Sequence, residues 1–226
     1  MSFLTAEWRW LAMVNFEVDP ALLRPLVPRG TELDAFGGKT FASLVGFLFL
    51  GTRVLGVPVP FHRNFEEVNL RFYVRRGDRR GVVFVKEIVP RWAIAWVARN
   101  VYGERYVSLP MRHRLEGDLV EYGWNVSGEW CGLSVHASGP DAEAAPGSEE
   151  EFITEHYWGY AGTEDSCVEY EVKHPRWLLR PVTGSEISGS LEPLYGSAFA
   201  SILRGKPSSA FLALGSAISV ERGQRI

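Results

Sequence analysis

Glu66-Glu67-Val68-Asn69-Leu70-Arg71-Phe72-Tyr73-Val74 is the stretch from which the fold of this chain is read. Val68, Leu70, Phe72 and Val74 alternate with Glu67, Asn69, Arg71 and Tyr73, the period of a β-strand with one apolar and one polar face. A Gly77-Asp78 turn follows, and residues 81–89 are rich enough in Val, Phe and Ile to pair back as a hairpin. Towards the N-terminus, residues 41–50 read as a buried strand. Asp19-Pro20 reads as the cap and first position of a short helix that Pro28 ends.

On the C-terminal side, residues 120–126, 131–136, 167–172 and 210–220 read as further strands. Residues 92–102 change period, with Ile94, Val97, Ala98 and Val101 on one helical face ahead of Gly103. Ser148 with Glu151 forms a capping box, which predicts a helix carrying Phe152, Ile153, His156 and Tyr157. A last helix is expected over residues 194–203, closed by Gly205 and Pro207. The sum is an α+β chain, mainly antiparallel β, with a few short helices. Residues 1–226 read as one domain, and 139–147 as a long surface connection.

The 226 residues suffice for one large core, and 46% hydrophobic with 23% charged residues is a globular balance. A net charge of −3 gives no reason to expect nucleic acid as a partner. No export signal or membrane-length apolar run is read, so a cytoplasmic protein that binds no membrane is expected. Cys131 and Cys167 are then expected as reduced thiols. Whether copies form a homo-oligomer is left open.

No phosphate-cradling loop, dinucleotide fingerprint, nucleophile elbow or zinc-type Cys/His pairing occurs, so no cofactor and no metal is expected. Glu155-His156 has no second ligand pair nearby, and a His156 bonded to a backbone carbonyl is the plainer reading. The basic residues comprise 20 Arg and only four Lys: Lys39, Lys86, Lys173 and Lys206. Lys86 alone alternates with apolar neighbours (Val82, Phe84, Ile88), and snorkelling from a sheet edge accounts for it better than a buried reactive amine.

Residues 16–23, Leu26-Val27-Pro28, Glu32-Leu33, Glu66-Glu67 and the run from Ala93 to Arg99 resemble the acetoacetate-decarboxylase-like superfamily over the first half of the chain. More closely, and over nearly the whole chain, residues 66–74, 148–160 and His174-Pro175-x-Trp177 resemble the uncharacterised YqjF-like family within it. The resemblance implies a curved, largely antiparallel barrel or cone around a central cavity, and supplies no activity. The decarboxylases' reactive lysine lies in a Pro-Lys-Lys motif, whose place is taken here by Arg105-Tyr106-Val107. Glu17 stands where they carry an early arginine, while Glu67 matches one of their acids. Acetoacetate decarboxylation through a lysine Schiff base is therefore not expected.

On an ordinary sheet the polar stripe would face solvent; in a fold that encloses a cavity it would line it. On the second reading Arg71 and Arg99 are candidates to hold a small carboxylate or other anion, and Glu67 to act as general base. Asn69, Tyr73, Tyr102, Tyr106 and His113 would complete the ligand-binding set. Two functions follow: an enzyme working on a small carboxylate by acid–base chemistry, or a non-catalytic ligand-binding or sensing domain.

Overall fold

A computed structural model describes residues 2–58, 62–90 and 105–226, and every structural statement below concerns these. The helix expected over 92–102, with Arg99 and Tyr102, lies outside them. Sixteen strands occur among the described residues. They begin with β1 (Leu4–Val18), β2 (Glu32–Leu33), β3 (Thr40–Val54), β4 (Val57–Pro58), β5 (Phe65–Arg76) and β6 (Arg79–Val89). The middle of the chain gives β7 (Tyr106–Ser108), β8 (Met111–Glu116), β9 (Leu119–Val126), β10 (Glu129–Ala137) and β11 (Ala142–Glu143). The remainder are β12 (Trp158–Thr163), β13 (Ser166–Lys173), β14 (Leu178–Ser188), β15 (Ser209–Val220) and β16 (Gln224–Arg225). Three short α-helices are interspersed: α1 (Pro20–Leu23), α2 (Glu149–Thr154) and α3 (Glu192–Leu203).

Pairing is antiparallel except where β6 meets β12 and β7. From β15 the ladder runs through β1, β3, β5, β6, β12 and β13, and β13 pairs with β15 again, so the curved sheet returns on itself. β14 leaves this circuit beside β15, and β10, β9 and β8 follow it as a second arm. That arm folds over the outer face of β1, β3 and β5. Tyr122 and Leu133 press so closely on Gly46 that a Cβ there would lie 2.6 Å from the Tyr122 ring.

β5 is consequently covered on both faces. Val68, Leu70 and Phe72 pack outward with Tyr122, Trp124 and Leu133, while Phe65 and Tyr73 point inward with Phe47, Trp177 and Phe152. The polar stripe of β5 therefore faces the inside of the sheet, and none of residues 67–74 is exposed.

Several strands depart from what alternation predicts. β1, β12 and β14 were not legible as strands, and β1 shows why. Trp10 has φ +57°, takes no part in either flanking ladder, and marks a bulge where the register with β3 shifts. Its freed carbonyl accepts the Tyr122 hydroxyl at 2.8 Å, so the outer arm satisfies the bond that the bulge gives up. Opposite, Gly215 has φ +76°, and a Cβ on it would lie 2.0 Å from the Trp8 carbonyl oxygen.

A second bulge decides the face of β6. Leu70 pairs with Lys86 but Arg71 pairs with Phe84, so Val85 is an extra residue and the parity of the strand inverts. Val82 and Phe84 keep the inward face, Glu87 joins them, and Lys86 is turned outward across from Leu70. Lys86 thus does not share a face with Val82 and Phe84, and β6 is an interior strand rather than an edge.

α2 starts as expected, with Ser148 Oγ accepting the Glu151 N–H at 3.1 Å and Glu151 in turn accepting the Gly147 N–H at 2.7 Å. It ends at Thr154, so His156 and Tyr157 lie beyond it in the link to β12. Because α2 sets that link, Ser148→Ala is expected to lower stability by about 1 kcal/mol, measured by urea denaturation.

Candidate functional site

The inward faces of β5 and β6 line a cavity of about 210 Å³. One part of its wall is aromatic. Trp8 meets Phe47 at 5.3 Å and Trp177 at 6.2 Å between ring centroids, and Phe49 stacks on Phe65 at 4.6 Å. The other part is polar, formed by the buried Glu67, Asn69 and Arg71 from β5, Glu87 from β6 and His156 after α2, with the half-buried Tyr106 from β7.

Glu67 is fully enclosed and held at both carboxylate oxygens. Asn69 Nδ2 donates to Oε1 at 3.0 Å, and the Tyr106 hydroxyl donates to Oε2 at 3.1 Å. Burial pushes the Glu67 carboxyl up to about 7, and these two donors with the charge of Arg71 pull the other way without cancelling it. Glu87 stands opposite Asn69 on the ladder and beside Tyr106, so two acids flank that phenol. Burial, then the two acids, keep Tyr106 in its neutral O–H form well beyond the ordinary range.

Arg71 is 8% exposed, and its Nε has no hydrogen-bond partner among the described residues. Its guanidinium lies 5.7 Å from the Tyr73 ring, which packs tilted against His156 at 4.6 Å. His156 Nε2 contacts Asp34 at 3.2 Å, and Arg80 donates to the same carboxylate oxygen at 2.7 Å. Burial holds His156 down to about 4 despite Asp34. The ring is therefore neutral near pH 7, and the contact is a hydrogen bond rather than an ion pair. A carboxylate only accepts, so Nε2 carries the hydrogen and Nδ1 is left as a bare acceptor. That Nδ1 is buried without a partner among the described residues.

A family model of uncharacterized conserved proteins, DUF2071, matches residues 5–217. The chain belongs to the DUF2071 family. It is 26% identical over 178 residues to the uncharacterized protein YqjF of Bacillus subtilis, covering 76% of this chain and 73% of that protein. In three dimensions this DUF2071 chain resembles an acetoacetate decarboxylase from Legionella pneumophila, with a TM-score of 0.76. That match has 11% identity and covers 99% of this chain and 86% of the other. It also resembles the enduracididine biosynthesis enzyme MppR complexed with pyruvate, with a TM-score of 0.68 and 13% identity over 100% and 91% of the two chains. The fold is acetoacetate-decarboxylase-like.

Within this DUF2071 protein, four of the residues singled out from the sequence meet at the cavity: Glu67, Asn69, Arg71 and Tyr106. Tyr73 buttresses rather than lines it. Its hydroxyl is 2.6 Å from Ser43 Oγ, which itself donates to Asn15 at 2.6 Å. His113 is a correction: it sits on β8, outside the circuit, and bonds Glu66 at 2.7 Å. Glu66 neighbours Glu67 on an alternating strand, so it and its partner belong to the opposite face. Arg99 and Tyr102 lie outside the described residues.

His156 is bound to a side-chain carboxylate, not to a backbone carbonyl as the sequence suggested. No cluster of three His, Cys, Asp or Glu side chains fit to hold a metal occurs among the described residues. None of their helices is long and apolar enough to cross a membrane. Glu87, His156, Asp34 and Arg80 were missed as site residues. Asp34 and His156 are 122 positions apart, and only the closed sheet brings them together.

Proposed function

We propose that this protein acts on a small carboxylate-bearing molecule by proton transfer at Glu67, without a covalent lysine intermediate. The observation that carries this reading is Glu67 clasped between Asn69 and Tyr106 inside the cavity, with Arg71, whose Nε has no hydrogen-bond partner among the described residues, on the same wall. A guanidinium buried this deeply needs an acceptor, and a carboxylate offers one in the matching planar geometry. A carboxyl poised near 7 exists in both forms at neutral pH, which is what a group that takes up and returns a proton requires. None of the four lysines lines the cavity. At the position where the resemblance places the decarboxylases' lysine stands Tyr106, and its hydroxyl serves Glu67. The pyruvate complex of the fold neighbour MppR supports a small oxo-carboxylate as the first class to test.

The test is proton exchange in D2O. Pyruvate and phenylpyruvate are incubated with the protein, and loss of their C3–H signals is followed by NMR. The expected result is exchange faster than in buffer, with a rate that inflects near pH 7. Arg71→Met is expected to raise the half-saturating concentration more than tenfold. Saturable binding without exchange would instead establish the ligand-binding or sensing alternative, and absence of binding would sink the carboxylate reading.

A further inference from the structure

Among the described residues, the cavity holds polar atoms that its own walls leave unused, and they are of both kinds. Arg71 Nε is a donor without an acceptor. Asn69 gives its amide nitrogen to Glu67, which leaves Oδ1 as an acceptor without a donor. His156 gives Nε2 to Asp34, which leaves Nδ1 in the same condition. All three residues line the cavity and are more than nine-tenths buried. A buried polar atom without a partner is costly and uncommon, so these three on the polar wall, with Trp8 Nε1 and Thr52 Oγ1 elsewhere in the lining, mark what that space receives. A bare carboxylate answers only Arg71; the two acceptors require a donor as well.

The remaining wall sets the size of the tail. Trp8, Phe47, Phe49, Phe65, Phe84 and Trp177 present rings to the cavity. An apolar cavity of roughly 150 Å³ accommodates benzene, so about 210 Å³ holds one aryl ring and a polar head of a few atoms. We infer that the occupant is a 2-hydroxycarboxylate with an aryl-sized tail, its carboxylate on Arg71 and its hydroxyl donating to His156 Nδ1 or Asn69 Oδ1. This rests on the carboxylate reading above and narrows it. The enol of an aryl-substituted 2-oxo acid carries the same hydroxyl at the same carbon: Glu67 would take the C3 proton, leaving an enolate, and return that proton to its oxygen, which creates the donor that these acceptors await.

Calorimetric titration of the wild-type protein with both enantiomers of 3-phenyllactate, with 3-phenylpropanoate and with 3-phenyllactamide tests the inference. One enantiomer of 3-phenyllactate is expected to bind at least tenfold more tightly than 3-phenylpropanoate, because the deoxy acid leaves the acceptors unanswered. His156→Phe, once shown by its melting curve to be folded, is expected to narrow that gap. Equal affinity for the hydroxy and deoxy acids would overturn this inference and leave the carboxylate reading standing. If the amide binds as well as the acid, or if none of the four binds at millimolar concentration, both fall.

Discussion

Glu67→Gln is expected to slow deuterium exchange into phenylpyruvate by 10²–10⁴-fold while leaving its affinity within a few-fold, and to make the protein more stable at pH 8. The first effect follows from removing the group that carries the proton. The second follows from linkage. Between about 4.5, the ordinary value, and about 7, the folded chain retains the Glu67 proton that the unfolded chain has released. The unfolded state then binds fewer protons, so stability falls as pH rises through that window, by on the order of 3 kcal/mol in all. Glutamine carries no such cost. It can accept from Asn69 through its oxygen and donate to the Tyr106 oxygen through its nitrogen. The gain in melting temperature should therefore be greatest above pH 7 and fade below about pH 4.5. A variant that melts lower than wild type at pH 8, or that exchanges at the wild-type rate, would remove Glu67 from its assigned role.

Gly215→Ala is expected to cost more than about 3 kcal/mol, or to leave no soluble folded protein. Its φ of +76° disfavours any Cβ, and the atom this Cβ would strike, 2.0 Å away, is the backbone oxygen of Trp8. Trp8 is an inward ring of the aromatic wall, so relief of the clash would also move the site. Gly184→Ala is the control. That glycine has open space where a Cβ would go and no positive φ, and its substitution should stay within about 1 kcal/mol in the same urea titration.

The two variants also mark how far the sequence could be read. β5 was legible because nothing interrupts its period of two, and Glu67, Asn69 and Arg71 fell together for that reason alone. What the alternation could not say is which face a second arm of sheet would cover, since that depends on β8–β10, some 40 to 70 residues further on. β1 hid behind its Trp10 bulge, and the importance of Gly215 lies in a partner more than 200 positions away. α2 announced its start through Ser148, but its early end at Thr154 moved His156 off the helix and towards Asp34. Local signals survived where the backbone is regular. They failed at bulges and wherever two distant segments supply halves of one contact.

The bulge at Val85 bears on how such a site could arise. In an unbroken strand Lys86 would look inward and Glu87 outward; the single extra residue exchanges them. The choice between an amine and a carboxylic acid in this part of the wall is thus a matter of reading frame along one strand. Deletion of one amino acid, Val85, with Lys86 and Glu87 themselves unchanged, would exchange which of the two side chains faces the wall.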